Sequence, residues 1–178
     1  MSNAIEYDVI LRHGTLYDGS GQPPVVGDLA ISGQSIAALG NLGAARGRQE
    51  LDVDGMAVAP GFINMLSWST ESLIADGRSQ SEIRQGVTLE VMGESDSWGP
   101  LNPTMKAELV ERQGDIQYPV EWTTLGEYLD YLARRGVACN VSSFVGTTTL
   151  RVHELGYADR RATPAELERM RALVRQAS

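Results

Sequence analysis

The chain has 178 residues, enough for one ordinary domain or for a small domain followed by part of a larger one. Its formal net charge of −8 argues against nucleic-acid binding, because nucleic-acid binders usually carry a basic face. The sequence has a single cysteine, no apolar run of about 18 residues and no secretory signal pattern, so we expect no internal disulfide, no membrane span and a cytoplasmic location.

The first part of the sequence predicts a small β-domain over residues 1–58, built from short strands and tight turns. The predicted strands cover residues 7–11, 15–17, 29–31, 35–39, 51–53 and 56–58. Asp54-Gly55 lies between the last two strands and is the strongest short hairpin signal in the chain. Because about 50 residues of β-structure are marginally stable alone, we expect this domain to pack on the rest of the chain.

The second part, residues 59–178, predicts strands that alternate with helices. Strands are expected over residues 57–63, 87–92 and 137–145, and the first two are expected to be buried. The β-branched and apolar residues of the middle run suit burial on both faces, as in a parallel sheet. Alternating strands and helices imply parallel pairing through right-handed crossovers, so the expected fold class is α/β.

Caps and apolar stripes locate the helices of this second part. Ser79 and Glu82 have the spacing of a capping box, and Gly86 stands where that helix would end. Gly136 would end the next helix, and residues 163–166 would begin the last one. The expected buried faces of these two helices carry Leu125, Tyr128, Leu129 and Leu132, and Leu167, Met170 and Val174.

Several segments, in the expected order, resemble one protein superfamily. Residues 7–19 and 54–63 resemble the opening of the amidohydrolase superfamily and its entry into the first barrel strand. The segments that resemble its D-aminoacylase branch, the N-acyl-D-amino-acid deacylases, are residues 85–88, 140–146, 149–151 and 161–167.

This resemblance implies part of a β-sandwich over residues 1–58, followed by the first three β/α units of an incomplete (β/α)₈ TIM barrel over residues 59–178. It also implies a zinc-dependent hydrolase of amide bonds that deacylates a small-molecule substrate, an N-acyl-D-amino acid. The family's later metal-binding histidines and its catalytic aspartate would lie beyond Ser178. We therefore expect the remainder of the barrel to be needed for activity.

The sequence departs from the family at the end of the first barrel strand. Members usually carry Asp-x-His-x-His there, and two histidines so spaced on a strand reach one metal ion. Here Leu66 and Trp68 stand in place of the histidines, and neither side chain can bind zinc. Trp68 and Trp98 could instead line an acyl pocket, although aromatic residues near strand ends are also ordinary packing.

Residues 93–96 follow the second strand, where members usually have Gly-Asn-Cys-Gly with a zinc-binding cysteine. Ser95 replaces that cysteine, and Glu94 and Asp96 place two carboxylates at the strand end. We expect Glu94 to be a substitute metal ligand and Ser95 and Asp96 to bind substrate; the alternative is a solvated loop. After the third strand Thr147 replaces the usual histidine, and it is a candidate for substrate binding or for a helix cap.

Other polar residues carry weaker signals. His13 lies in a turn and is expected at the surface, and His153 lies on a predicted helix where a ligand role is disfavoured. Cys139 is expected to be a buried small hydrophobe in the middle of a strand. Ser67 has no histidine nearby in sequence, which leaves no basis for a nucleophile there.

Three functions compete on these observations. The first is an amide hydrolase that uses a metal-bound water as its nucleophile. The second is a non-catalytic relative that has lost its metal ligands and binds a ligand or a partner. The third, a self-standing interaction module, is disfavoured, because a piece with three parallel strands leaves an open sheet edge.

Overall fold

The computed structural model describes residues 6–177 and has a mixed α/β architecture. It divides into two compact units, Met1–Pro60 and Gly61–Ser178. Strands dominate the first unit, whereas strands alternate with helices in the second. Within residues 6–177, no helix is both long enough and apolar enough to cross a membrane.

The described residues of the first unit form one mixed sheet. Its strands are β1 (Tyr7–Leu16), β2 (Val25–Ser32), β3 (Ser35–Gly40), β4 (Gly47–Asp52) and β5 (Ala57–Val58). They are ordered β3-β2-β1-β4, and β5 also pairs with β1. The predicted hairpin between β2 and β3 is confirmed, since the two strands pair antiparallel through a turn in which Gly33 has a φ of 58°.

The hairpin predicted at Asp54-Gly55 is wrong. The turn itself is present, with Gly55 at a φ of 73°, but it does not pair its flanking strands with each other. Both β4 and β5 run parallel to β1, β4 along its first half and β5 along its end. Two strands that are parallel to the same neighbour point the same way, so they cannot form an antiparallel hairpin.

The second unit alternates strands and helices, with all of its described strands parallel. The strands are β6 (Phe62–Asn64), β7 (Val87–Met92) and β8 (Asn140–Ser143), and β7 lies between the other two. The helices are α1 (Thr70–Ala75), α2 (Gln80–Ile83), α3 (Pro103–Glu111), α4 (Leu125–Arg135), α5 (Thr147–Leu155) and α6 (Pro164–Ala177). The parallel arrangement expected from the alternation is confirmed over the described residues.

Two of the predicted strands are shorter than expected, and one is not buried. β7 matches its predicted range, but β8 covers only residues 140–143, and the run predicted over residues 57–63 is divided between the short strands β5 and β6. Phe62 and Ile63 of β6 are 61% and 54% exposed, although their run was expected to be buried. The reason is the position of β6 at the edge of the sheet, where β7 covers only one of its sides.

Some of the helix caps and buried apolar faces expected from the sequence are present, and others are not. The capping box of α6 is confirmed, with the Thr163 N–H donating to Glu166 and the Glu166 N–H donating to the Thr163 hydroxyl. The capping box at Ser79 is wrong, because Ser79 has a φ of 44° and its hydroxyl donates to Glu90 instead. The stripe of α6 is not buried as expected: Leu167 and Val174 are 41% and 42% exposed.

An aromatic core holds the second unit together. Trp122 and Tyr128, both almost fully buried, have ring centroids 5.1 Å apart, and Trp98 stacks obliquely on both rings. The predicted apolar face of α4 supplies Leu125 and Leu132 to this core. The core packs around the end of β7, through Met92, and so fixes the strand that leads to the candidate site.

Candidate functional site at the ends of strands β7 and β8

The segments that follow β7 and β8 meet at the carboxyl edge of the sheet, where open α/β sheets place their ligands. The Thr148 N–H donates to the Ser95 carbonyl oxygen over 2.9 Å. The Ser95 and Thr148 hydroxyls are also hydrogen-bonded, 2.9 Å apart, and the Ser97 N–H donates to the Thr149 hydroxyl over 2.7 Å. The loop after β7 is therefore fixed against the start of α5.

Two glycines make this close contact possible. Gly93 has a φ of 84°, and a Cβ there would meet the Phe144 carbonyl oxygen and the Ser143 hydroxyl. A Cβ on Gly146 would meet the Ser95 carbonyl oxygen and the Ser97 nitrogen. Each position thus excludes larger residues for a steric reason.

The candidate ligand and substrate residues all lie on the loop and helix start just described. Glu94, Ser95 and Asp96 are exposed and follow β7 directly, and Thr147 is the exposed first residue of α5. The helix cap is Gly146 rather than Thr147. The structure brings Ser95 together with Thr148, a neighbour that the sequence analysis did not consider.

Glu94 and Asp96 share a small cavity with the residues that replace the histidine pair. Leu66 and Trp68 line that cavity and are 53% and 68% exposed. Both follow β6, which ends at Asn64. No group of three or more His, Cys, Asp or Glu side chains within residues 6–177 could hold a metal ion. The described residues therefore do not make a complete zinc site by themselves.

The two histidines lie elsewhere. His13 is exposed in the first unit, 3.0 Å from Asp52, and the hydrogen bond with that carboxylate raises the pKa of His13. His153 lies on α5, with its Nδ1 3.1 Å from a Glu154 carboxylate oxygen. His13 is thus a surface residue, as expected, and His153 is on a helix, as expected.

A buried carboxylate that the sequence analysis missed lies within strand β7. Glu90 is fully buried and accepts three hydrogen bonds: from the Ser67 hydroxyl over 2.5 Å, from the Ser79 hydroxyl over 2.8 Å and from the Cys139 thiol over 2.9 Å. We call these four residues the Glu90 cluster. Its hydrogen bonds connect the loop after β6, the start of α2 and the residue before β8 to the central strand β7.

Hydrogen bonding keeps Glu90 ionised inside the protein. Burial acts to raise its pKa, but the bonds from Cys139, Ser67 and Ser79 outweigh burial and lower the pKa below its ordinary value. The opposite holds for the thiol: burial and the neighbouring carboxylate raise the pKa of Cys139 to about 11. Cys139 is buried as expected, but it precedes β8 and serves as a hydrogen-bond donor, which corrects the expectation of a mid-strand hydrophobe.

The chain is similar to known N-acyl-D-amino-acid deacylases. No protein-family model matches the chain. D-aminoacylase of Alcaligenes xylosoxydans xylosoxydans is 34% identical over 180 residues, which cover 99% of this chain and 36% of that protein. N-acyl-D-aspartate deacylase of the same organism is 36% identical over 171 residues, covering 96% of this chain and 34% of that protein.

Solved structures agree over nearly the whole chain. A crystal structure of D-aminoacylase, described as defining a novel subset of amidohydrolases, matches with a TM-score of 0.80 at 33% identity, covering 97% of this chain and 36% of that one. The chain is homologous to the N-terminal portion of the D-aminoacylases. N-acyl-D-glutamate deacylase from Bordetella bronchiseptica, complexed with zinc and a phosphonate inhibitor, matches with a TM-score of 0.81 at 26% identity over the same shares.

The matches cover only part of these relatives. The chain spans about a third of their length: 36% of D-aminoacylase and 34% of N-acyl-D-aspartate deacylase. The family resemblance inferred from the sequence segments is confirmed by these matches. The mixed α/β fold and its sheets also agree with the D-aminoacylase structure.

Proposed function

We propose that a protein containing this segment and the remaining length of its relatives hydrolyses the amide bond of N-acyl-D-amino acids. The observation that carries the proposal is the match to D-aminoacylase over 97% of the chain, at 33% identity and a TM-score of 0.80. The edge formed by the ends of β7 and β8 is the proposed place of binding. We propose a cytoplasmic location on the evidence of the lone cysteine.

The proposed architecture is part of a β-sandwich, residues 1–58, and the first three β/α units of a TIM barrel, residues 59–178. The three parallel strands β6, β7 and β8 support the barrel, since such barrels are built from parallel strands with intervening helices. Exposed apolar side chains on β6 support a further neighbour on that side, because isolated sheet edges of this kind are otherwise a liability.

The proposed cofactor of the complete protein is zinc, to which Glu94 would contribute a carboxylate oxygen. One relative was solved with zinc, and D-aminoacylase has a binuclear metal centre. The exposed position of Glu94 at the strand end, beside Leu66 and Trp68, supports the assignment. Bound zinc would polarise a carbonyl and lower the pKa of water. Because residues 6–177 do not supply a full ligand set, no catalytic step is assigned to them through the metal.

The proposed substrate contacts are Ser95, Asp96 and Thr147. Asp96 lines both the cavity beside Glu94 and a larger apolar one, so it lies between them. Ser95 is held by Thr148 and offers a fixed hydroxyl, while Thr147 offers an exposed one at the start of α5. The two hydroxyls can donate to a carbonyl or carboxylate oxygen of the substrate, and the Asp96 carboxylate can accept from an amide N–H.

A non-catalytic ligand-binding relative is the second candidate. It is favoured by one observation: Leu66, Trp68 and Ser95 stand where the family usually has metal ligands. The experiment that separates the two is a stereochemical assay of the complete protein with N-acetyl-D- and N-acetyl-L-amino acids. Release of free D-amino acid supports the hydrolase, and no release from any substrate at high protein concentration supports the binding protein.

We expect residues 1–178, expressed alone, to release no free amino acid from acylated D-amino acids. The physical reason is that the described part offers no metal site and leaves apolar side chains of β6 exposed. Amino-group release, followed with an amine-reactive dye in the presence of added zinc, measures this. Zinc-dependent turnover by the purified segment would contradict the prediction.

We expect Glu94→Gln to lower the zinc content of the complete protein by about tenfold, since an amide oxygen carries no charge to offset that of the ion. Elemental analysis after dialysis against a weak chelator measures it. Glu121→Gln is the matched control, because Glu121 is also exposed but lies outside the strand end. Unchanged zinc content in a folded Glu94→Gln protein would assign Glu94 to the solvated loop instead.

A further inference from the structure

An apolar cavity of about 300 Å³ lies beside the ends of β7 and β8, between helices α3 and α5. Its apolar wall consists of Trp98, Leu101, Met105, Leu109 and Val152. Small-molecule sites span roughly 300–1,000 Å³, so this cavity suits a short, flexible group rather than a large ring system.

The cavity adjoins the candidate site. Asp96 and Trp98 line both this cavity and the smaller one beside Glu94. Trp98 is held in place by the aromatic core, since its backbone carbonyl accepts the Trp122 indole N–H over 2.6 Å. A molecule held at Glu94 therefore lies next to the apolar cavity, with the fixed Trp98 on the boundary between the two.

The charges around the cavity decide which part of a substrate it takes. Asp96 and Glu108 contribute two carboxylates and Arg112 one guanidinium. That guanidinium is already engaged, lying 3.5 Å from the Glu108 carboxylate and donating to the Tyr157 hydroxyl over 3.0 Å. An anionic group would meet an excess of negative charge, whereas an uncharged chain would meet the apolar wall.

We propose that this cavity binds the acyl chain of the substrate and selects aliphatic chains of several carbons over acetyl. The inference rests on the proposed function and deepens it, because it names the part of the substrate that enters the cavity. The substrate's carboxylate then lies outside the cavity, away from Asp96 and Glu108.

The test is calorimetric binding of two uncleavable sulfonamide probes to the complete protein, N-hexylsulfonyl- and N-methylsulfonyl-D-alanine. We expect the hexyl probe to bind at least about tenfold more tightly, since each buried methylene contributes roughly fourfold in affinity. Val152→Phe fills the cavity and should reduce that preference to below about threefold. Met105→Ala enlarges it and should shift the preference toward an octyl probe.

Val110→Phe is the matched control, because Val110 lies on α3 beside Leu109 but is 51% exposed and does not line the cavity. It should keep the wild-type ratio. Equal affinity of wild type for the two probes, or an unchanged ratio in both cavity variants, would overturn the proposal. A chain-length preference in a protein without deacylase turnover would leave the apolar subsite standing and discard the proposed function, so the two failures are distinguishable.

Discussion

We expect Glu90→Leu to destabilise the second unit by about 3–5 kcal/mol, because it leaves the Ser67, Ser79 and Cys139 donors buried without an acceptor. Urea unfolding followed by tryptophan fluorescence measures this. Within residues 1–178 the signal reports on the second unit, since all three tryptophans of this sequence lie after residue 60. Glu121→Leu, at an exposed position, should change the stability by less than about 0.5 kcal/mol.

A second variant, Glu90→Gln, provides an independent check through the pH dependence of its stability relative to wild type. The folded pKa of Glu90 lies below its unfolded value near 4.5, so the carboxylate's stabilising contribution is present above that pH. The contribution is lost as the pH falls through the folded pKa. The stability gap between wild type and Glu90→Gln should therefore narrow on acidification below about 4.5. A gap that stays constant from pH 7 to pH 3 would mean that Glu90 is not held ionised.

We expect Gly93→Ala to cost about 3 kcal/mol or more, and to displace the loop that carries Glu94. A left-handed φ costs a non-glycine residue about 1–2 kcal/mol, and the added Cβ would also press on the Phe144 carbonyl oxygen. The same fluorescence-detected unfolding measures the loss of stability. Gly114→Ala is the control, because nothing lies within 4 Å of a Cβ there.

A Gly93→Ala protein as stable as wild type would show that the loop tolerates a different path. Gly93→Asn refines the experiment, since asparagine adopts left-handed φ more readily than alanine but adds the same Cβ. If asparagine recovers part of the lost stability, φ contributes to the cost. If both variants are equally destabilised, contact with Phe144 and Ser143 dominates.

The sequence predicted best where one local signal decides the structure. The apolar run of β7, bounded by Gly86 and Gly93, predicted both ends of the strand correctly. The threonine-proline start of α6 was correct for the same reason, because a capping box depends on four consecutive residues. Helix α3 has a similar signal that was not used: Asn102 precedes Pro103, and its side chain accepts from the Met105 N–H.

The Glu90 cluster was not predictable from local sequence patterns, because it depends on contacts between residues far apart in the sequence. Its members are separated from Glu90 by 23, 11 and 49 residues, so only the folded chain brings them together. One signal was available: a glutamate inside an otherwise apolar run is rarely buried unless it is paired. The capping box expected at Ser79 failed for the same reason, since a tertiary acceptor took the hydroxyl.

The candidate site was predictable in position but not in its contacts. Strand ends locate Glu94 to Asp96 and Thr147 at one edge, which follows from parallel pairing alone. The hydrogen bond between the Ser95 and Thr148 hydroxyls, and the apolar cavity beside Trp98, depend on the conformations of two loops and on the packing of α3 against the core. The exposure of Phe62 and Ile63 likewise depends on which strands flank β6. The spacing of apolar residues along the sequence does not specify those neighbours.

The most direct test of the account is zinc content and D-specific deacylation measured on one preparation of the complete protein. We predict at least about one bound zinc ion per chain and release of D- but not L-amino acid from acylated substrates. Chelation of the zinc should abolish turnover, and added zinc should restore it. A folded protein with no bound metal and no turnover, before or after zinc addition, would contradict the hydrolase account and leave the ligand-binding alternative.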